Sequence, residues 1–263
     1  MTGISSGGAK GAGRACACSD LLAAPEDGLL RNSHSHPRPA SFAPPERLAV
    51  FDFDGTILDG ASPVRLIRKL VALKLMPVGV SLKAGVWGLR YKLGEELDQS
   101  TPRSYVFKSL TQHSVEEVDK IMVDLYYDEL EPRLYPQALA RIAQHKAAGE
   151  QVVIVSASFV PIVREIAKRV GADGIIATVM EVACGSYTGK VVGEPPEGVQ
   201  KLAQLTTWAN ERYGSGNWAV DWAYGDHSSD EPILAAATHA VAVNPNRGLA
   251  RTARQNNWEV VNW

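Results

Sequence analysis

Two carboxylates, Asp52 and Asp54, stand one residue apart near the end of the run Leu48-Ala-Val-Phe-Asp-Phe-Asp-Gly-Thr-Ile-Leu58. The apolar part reads as a buried strand, and alternation sends both carboxylates to one side of it. Gly55 permits a tight backbone exit. In an open α/β sheet, the carboxyl ends of the strands are where ligands bind. An aspartate aimed there can attack phosphorus covalently. Alone, such a junction is more often a solvated turn or a cation-binding loop, so the residues downstream decide.

Three further elements follow in order. Gln151-Val-Val-Ile-Val-Ser-Ala-Ser158 is a β-branched run with Ser156 at its tip. Lys201 opens an expected helix to about Arg212, and Trp222-Ala-Tyr-Gly-Asp-His-Ser-Ser-Asp230 ends a third strand with Asp226 and Asp230 four apart. Taken singly, Ser156 is a strand-end turn residue, Lys201 a solvated lysine and Asp226 a turn former. Together they supply a nucleophile, a hydroxyl donor, a cation and a second acidic pair. Phosphoryl transfer needs that set, because it is mostly positioning and charge stabilisation.

On these residues the chain resembles the haloacid dehalogenase superfamily phosphatases, and among them the phosphoserine-phosphatase-like subfamily IB. The likeness rests on Asp52-Phe-Asp-Gly-Thr56, Ser156 after Val152-Val-Ile-Val155, Lys201, and Gly225-Asp-His-Ser-Ser-Asp230, and runs from about Leu48 to Trp263. It implies Asp52 as nucleophile of an aspartyl-phosphate and Asp54 as the acid that then activates water. It implies Ser156 and Lys201 as phosphate contacts. It also implies Mg²⁺ at Asp52, the Asp54 carbonyl and Asp226, with Asp230 in support. Gly55, Thr56 and Ala157 are further expected phosphate contacts, and Arg103 is a candidate second one. A phosphate dianion approaching clustered carboxylates needs a cation, and oxygen-only ligands suit Mg²⁺ better than zinc. The histidines His113, His145, His227 and His239 are scattered and form no rival metal set.

Two departures bear on the substrate. His227 stands where the family motif carries serine, and Ala61 stands where phosphoserine phosphatases place the acidic residue that meets the substrate amine. Phosphoserine is therefore not the expected substrate.

The 263 residues can bury a full core, as one large or two small domains. A net charge of −2 gives no basic field for nucleic acid. Cys16, Cys18 and Cys184 form no disulfide framework, which fits a cytoplasmic protein. Residues 1–45 are rich in Gly, Ser, Ala and Pro, and read as a disordered tail without a secretory core.

Behind the motifs, helical and strand patterns alternate from Pro136 onward. They predict a Rossmann-like parallel sheet with helices on both faces, with a small hairpin over Met180–Val192. The core is expected over 46–62 and 133–263. Between them, 63–132 reads as an inserted helical cap, with a capping box at Ser114 and Glu117 and with Phe107, Tyr126 and Tyr127 in its interior. From Val64 to Leu93 the cap holds seven Lys or Arg and no acidic residue, with Trp87 and Tyr91 near its end. Three readings stand there: packed helices with solvated cations, cations aimed at an anionic substrate, or peripheral contact with an anionic membrane.

The expected function is Mg²⁺-dependent hydrolysis of a small phosphomonoester. The alternatives are transfer to an alcohol acceptor, a membrane-associated lipid-phosphate phosphatase, or a binding module of the same fold without catalysis. Oligomeric state has no sequence signal.

Overall fold

The computed structural model describes residues 45–76, 79, 106, 109–111 and 113–263. The tail, Arg103, Phe107, Trp87 and Tyr91 lie outside the described residues.

Strand β1 (Glu46–Phe51) leads through the aspartate loop to α1 (Ser62–Ala72). Helix α2 (Val115–Leu125) runs on into a π turn, Tyr126–Leu130, and a 3-10 turn, Glu131–Arg133. Then come α3 (Pro136–Ala147), β2 (Gln151–Phe159), α4 (Val160–Val170) and β3 (Gly174–Thr178). A hairpin follows, β4 (Met180–Ala183) and β5 (Ser186–Val191), and then α5 (Val199–Tyr213) and β6 (Trp218–Gly225). The chain closes with α6 (Glu231–Ala236), β7 (His239–Val243), α7 (Arg247–Asn256) and β8 (Glu259–Val261).

Six strands form one parallel sheet in the order β3-β2-β1-β6-β7-β8. Strand β1 is central, and the order reverses between β1 and β6, the place where open α/β sheets bind ligands. Strands β1, β2, β3 and β7 are mostly buried, as parallel strands under helices must be, whereas the edge strand β8 is largely exposed. Ala49, Phe51, Val152, Ile154, Tyr224 and Val241 face one core, shared with α1 to α4. Leu48, Val50, Val153, Val155, Ala223 and Ala242 face the other, shared with α5, α6 and α7. The expected fold class is therefore the observed one.

Local chemistry sets the element ends. At α2 the Glu117 amide donates to Ser114 Oγ at 3.2 Å, and the Ser114 amide donates back to Glu117 Oε2 at 3.1 Å. This is the capping box read from the sequence. Helix α7 was not expected, because its ten residues are mostly polar and only Leu249 and Ala253, one turn apart, are buried. Tyr126 is buried as expected, but Tyr127 is a correction. It is 51% exposed, and its hydroxyl donates to Glu165 Oε2 on α4 at 2.8 Å instead of filling an interior.

The chain departs for α1 and returns from α2 along adjacent paths. The Tyr135 amide donates to the Ile57 carbonyl and the Asp59 amide to the Arg133 carbonyl, both at 2.9 Å, and Leu58 bridges Leu134 antiparallel. Above this crossing, Lys69 pairs with Asp128 at 2.9 Å and Arg65 approaches Glu129 at 3.5 Å. Two of the seven cations noted above thus meet acids of the same chain. Among the described residues no helix is long and apolar enough to cross a membrane.

Candidate active site

The loop after β1 is stitched to β6 before any side chain is considered. The Asp52 amide donates to the Tyr224 carbonyl at 3.0 Å, which brings the ends of the two strands together. Gly55 then turns the backbone at φ +84°, and a Cβ there would lie 2.1 Å from Asp226 Oδ2. The aspartate loop and the loop after β6 approach that closely only because position 55 lacks a side chain. Gly225 does the same on the other loop, where a Cβ would lie 2.6 Å from Asp230 Cβ.

Lys201, on the first turn of α5, is 4% exposed, and its ammonium lies between two carboxylates. It donates to Asp52 Oδ1 at 2.5 Å and to Asp230 Oδ1 at 2.6 Å. Asp230 Oδ2 accepts from the amides of Asp226 and His227, at 3.2 and 3.1 Å. Asp230 is therefore a strut joining the lysine to the loop, with both oxygens engaged. One oxygen each from Asp52, Asp226 and Asp230 lies within 4.8 Å of the others, which is a ligand set for a hard divalent cation.

The electrostatics point the same way. Burial pushes the Asp52 carboxyl up to about 7; Lys201 pulls it down, while Asp230 and Asp54 add to the rise. Asp226 is raised well above the usual carboxylate range by burial and then by Asp52 and Asp230. Lys201 loses by burial, but Asp230 and Asp52 outweigh that loss and hold its ammonium charged far above the ordinary lysine range. A single lysine leaves three crowded acids short of positive charge, and a divalent cation fits that deficit.

Asp54 sits in a different environment. Its Oδ1 accepts from the Ser62 amide at 2.5 Å, and its Oδ2 from the hydroxyls of Ser158 at 2.5 Å and Ser62 at 3.0 Å. Burial raises its pKa, and the bonds from Ser158 and Ser62 oppose that rise. Its carboxylate is not one of the three clustered acids.

Ser156 is 1% exposed in β2, three residues before its last residue, and its Oγ accepts from the Ser158 amide at 3.1 Å. Thr56 is fully buried, and its Oγ1 has no hydrogen-bond partner. His227, the departure from the family pattern, does what a capping hydroxyl would do. Its Nδ1 accepts from the Ser229 amide at 3.2 Å, closing the 3-10 turn Ser228–Asp230. Burial lowers its pKa, in keeping with a neutral ring whose Nδ1 is an acceptor.

The structure thus brings Asp52, Asp54, Ser156, Lys201, Asp226 and Asp230 together at the sheet's switch point, with Gly55 and Thr56 on the aspartate loop and Ala157 next to Ser156 in β2. Sequence reasoning missed Ser62 and Ser158. Ser158 carries a weak signal, since it shares a strand side with Ser156; Ser62 carries none.

Comparison with known proteins matches residues 49–235 to the haloacid dehalogenase-like hydrolase family. A "probable phosphatase" of Mycobacterium tuberculosis is 33% identical over 233 residues, covering 86% of this chain and 78% of its own. A phosphoserine phosphatase of the same organism is 30% identical over 220 residues, covering 81% and 69%. Among solved structures, a Bordetella pertussis protein of unknown function superposes with a TM-score of 0.71 at 29% identity, over 82% of this chain and 98% of that one.

Proposed function

The chain belongs to the haloacid dehalogenase-like hydrolases and is a phosphatase, and from that premise we propose that it hydrolyses a small phosphomonoester through an aspartyl-phosphate, with Mg²⁺ as cofactor. The observation that carries the mechanism is the split between two aspartates one residue apart. Asp52 lies against Lys201 in the acidic cluster, and Asp54 lies apart in a hydroxyl cradle. Two carboxylates in unlike surroundings can take unlike roles.

Asp52 attacks phosphorus, and the bond to the leaving oxygen breaks as Asp54 gives that oxygen its proton. Water then attacks the aspartyl-phosphate, losing its proton to Asp54, which restores Asp52 and releases phosphate. Ser156 donates its hydroxyl proton to a phosphate oxygen, since its own oxygen already accepts from Ser158. Lys201, Gly55, Thr56 and Ala157 complete the phosphate cradle in this reading. Asp52, Asp226 and the Asp54 carbonyl would hold Mg²⁺, with Asp230 as their brace. When bound, the ion offsets the repulsion between phosphate and carboxylates. Residues 63–132 serve as the cap that excludes water. Ala61 brings no charge to the mouth, which leaves phosphoserine disfavoured despite the relative that carries its name.

EDTA should stop hydrolysis of an aryl phosphate, and Mg²⁺ should restore it. Better restoration by zinc would refute the hard-oxygen site. Asp52→Asn should fall to the uncatalysed background with an unchanged far-UV spectrum, and appreciable residual turnover would reassign the nucleophile. Added alcohols that receive the phosphoryl group in place of water would move the reading to a phosphotransferase.

A further inference from the structure

We propose that Ser158 and Ser62 are positioning residues that aim the Asp54 carboxyl, and that Ser158 sets the Ser156 hydroxyl at the same time. The inference rests on the reading of Asp54 as the proton donor to the leaving oxygen.

The two serines come from opposite sides of the site. Ser62 is the first residue of α1, and Ser158 lies near the end of β2; they are 0% and 1% exposed. Strand β2 reaches Asp54 through an irregularity. Ser156 pairs with Ala177, but the next partner, Thr178, pairs with Phe159, so Ala157 and Ser158 are extra. Such bulges re-aim side chains near active sites. The Thr178 hydroxyl holds this one, donating to the Ala157 carbonyl at 2.6 Å.

The contacts leave the carboxyl little freedom. Its Oδ1 is held by the amide that opens α1, and its Oδ2 by two hydroxyls that also touch each other at 2.5 Å. Rotating the carboxyl about its own bond breaks all three contacts. Oδ2 has both lone-pair directions engaged by the hydroxyls, and Oδ1 keeps one for the substrate side. A proton donor must be held within hydrogen-bond reach of the leaving oxygen in one orientation, and small displacements are costly. The Ser158 amide meanwhile donates to Ser156 Oγ, which leaves that hydroxyl's own proton for another acceptor. One residue thus registers the acid and the phosphate donor against each other.

The test is the dependence of kcat/KM on the leaving group, over substituted phenyl phosphates of graded phenol acidity. This constant reports the step in which the phenolate leaves. Its slope is a ratio between substrates, so a variant that folds poorly does not alter it. Ser158→Ala and, separately, Ser62→Ala should steepen the slope. Phenyl phosphate should lose about tenfold more than 4-nitrophenyl phosphate, within the span of a general acid's contribution. Asp54→Asn should steepen it at least as much. A steep slope in Asp54→Asn with wild-type slopes in both serine variants overturns the positioning role alone. A wild-type slope in Asp54→Asn overturns the acid assignment, and this inference with it.

Discussion

At the scale of single residues, the tightest constraint in the site is a missing side chain. Gly55 sits at a left-handed φ with the Asp226 carboxylate where its Cβ would be. Gly55→Ala therefore costs backbone strain and pushes Asp226 away from Asp52. The expected outcome is a protein that folds but needs much more Mg²⁺ for half-maximal activity, measured by titrating the metal at fixed aryl phosphate; an unchanged requirement would detach Gly55 from the metal site. Asp54→Asn should slow turnover by about 10²–10⁴-fold, the usual worth of a general acid, with Mg²⁺ binding retained. Loss of Mg²⁺ binding in that variant would show that the Asp54 side chain is needed at the metal. The side chains that carry charge were legible because they cluster just past apolar strand runs or open a helix. The buried hydroxyls were not. A serine has no periodicity of its own, and only the fold reveals that Ser62 and Ser158 converge on one carboxyl.

At the scale of elements, the strands and most helices were readable for a plain reason. A parallel strand covered on both faces must be apolar throughout, and Val152 to Val155 or His239 to Val243 leave little alternative. Helix α7 escaped because Arg247, Arg251 and Arg254 dominate a segment whose buried face is only Leu249 and Ala253. It is anchored instead by its start. Asn246 Oδ1 accepts from the Leu249 amide at 2.8 Å, and the Asn246 amide donates to the Asp226 carbonyl at 2.8 Å. That small face must then carry the packing. Leu249→Ala is expected to cost about 2–5 kcal/mol, the range for emptying a buried leucine site, measured by urea unfolding. A cost below about 1 kcal/mol would mean that α7 is held by its cap and not its face.

At the scale of the whole molecule, the site opposes the fold that carries it. Asp52 is pushed up to about 7, chiefly by burial, and Asp226 is raised as well. Below their ordinary values both states hold these protons, and stability is unaffected. As pH rises toward about 7, the unfolded chain gives them up while the folded chain keeps them, so stability falls over that window. A divalent cation favours the ionised carboxylates and must displace the protons to bind. Mg²⁺ should therefore raise Tm more at about pH 8 than at about pH 5, read by thermal unfolding at saturating metal. Equal increments at both would separate the metal from these acids. The basic stretch was not settled by sequence, since only packing reveals that Lys69 and Arg65 meet Asp128 and Glu129.

The adjoining paths at Leu58 and Leu134 have a mechanical consequence. Two neighbouring paths laced at one spot share their displacements there. Loosening one path at that spot therefore loosens the other, which ties the loop carrying Asp52 and Asp54 to the return from α2.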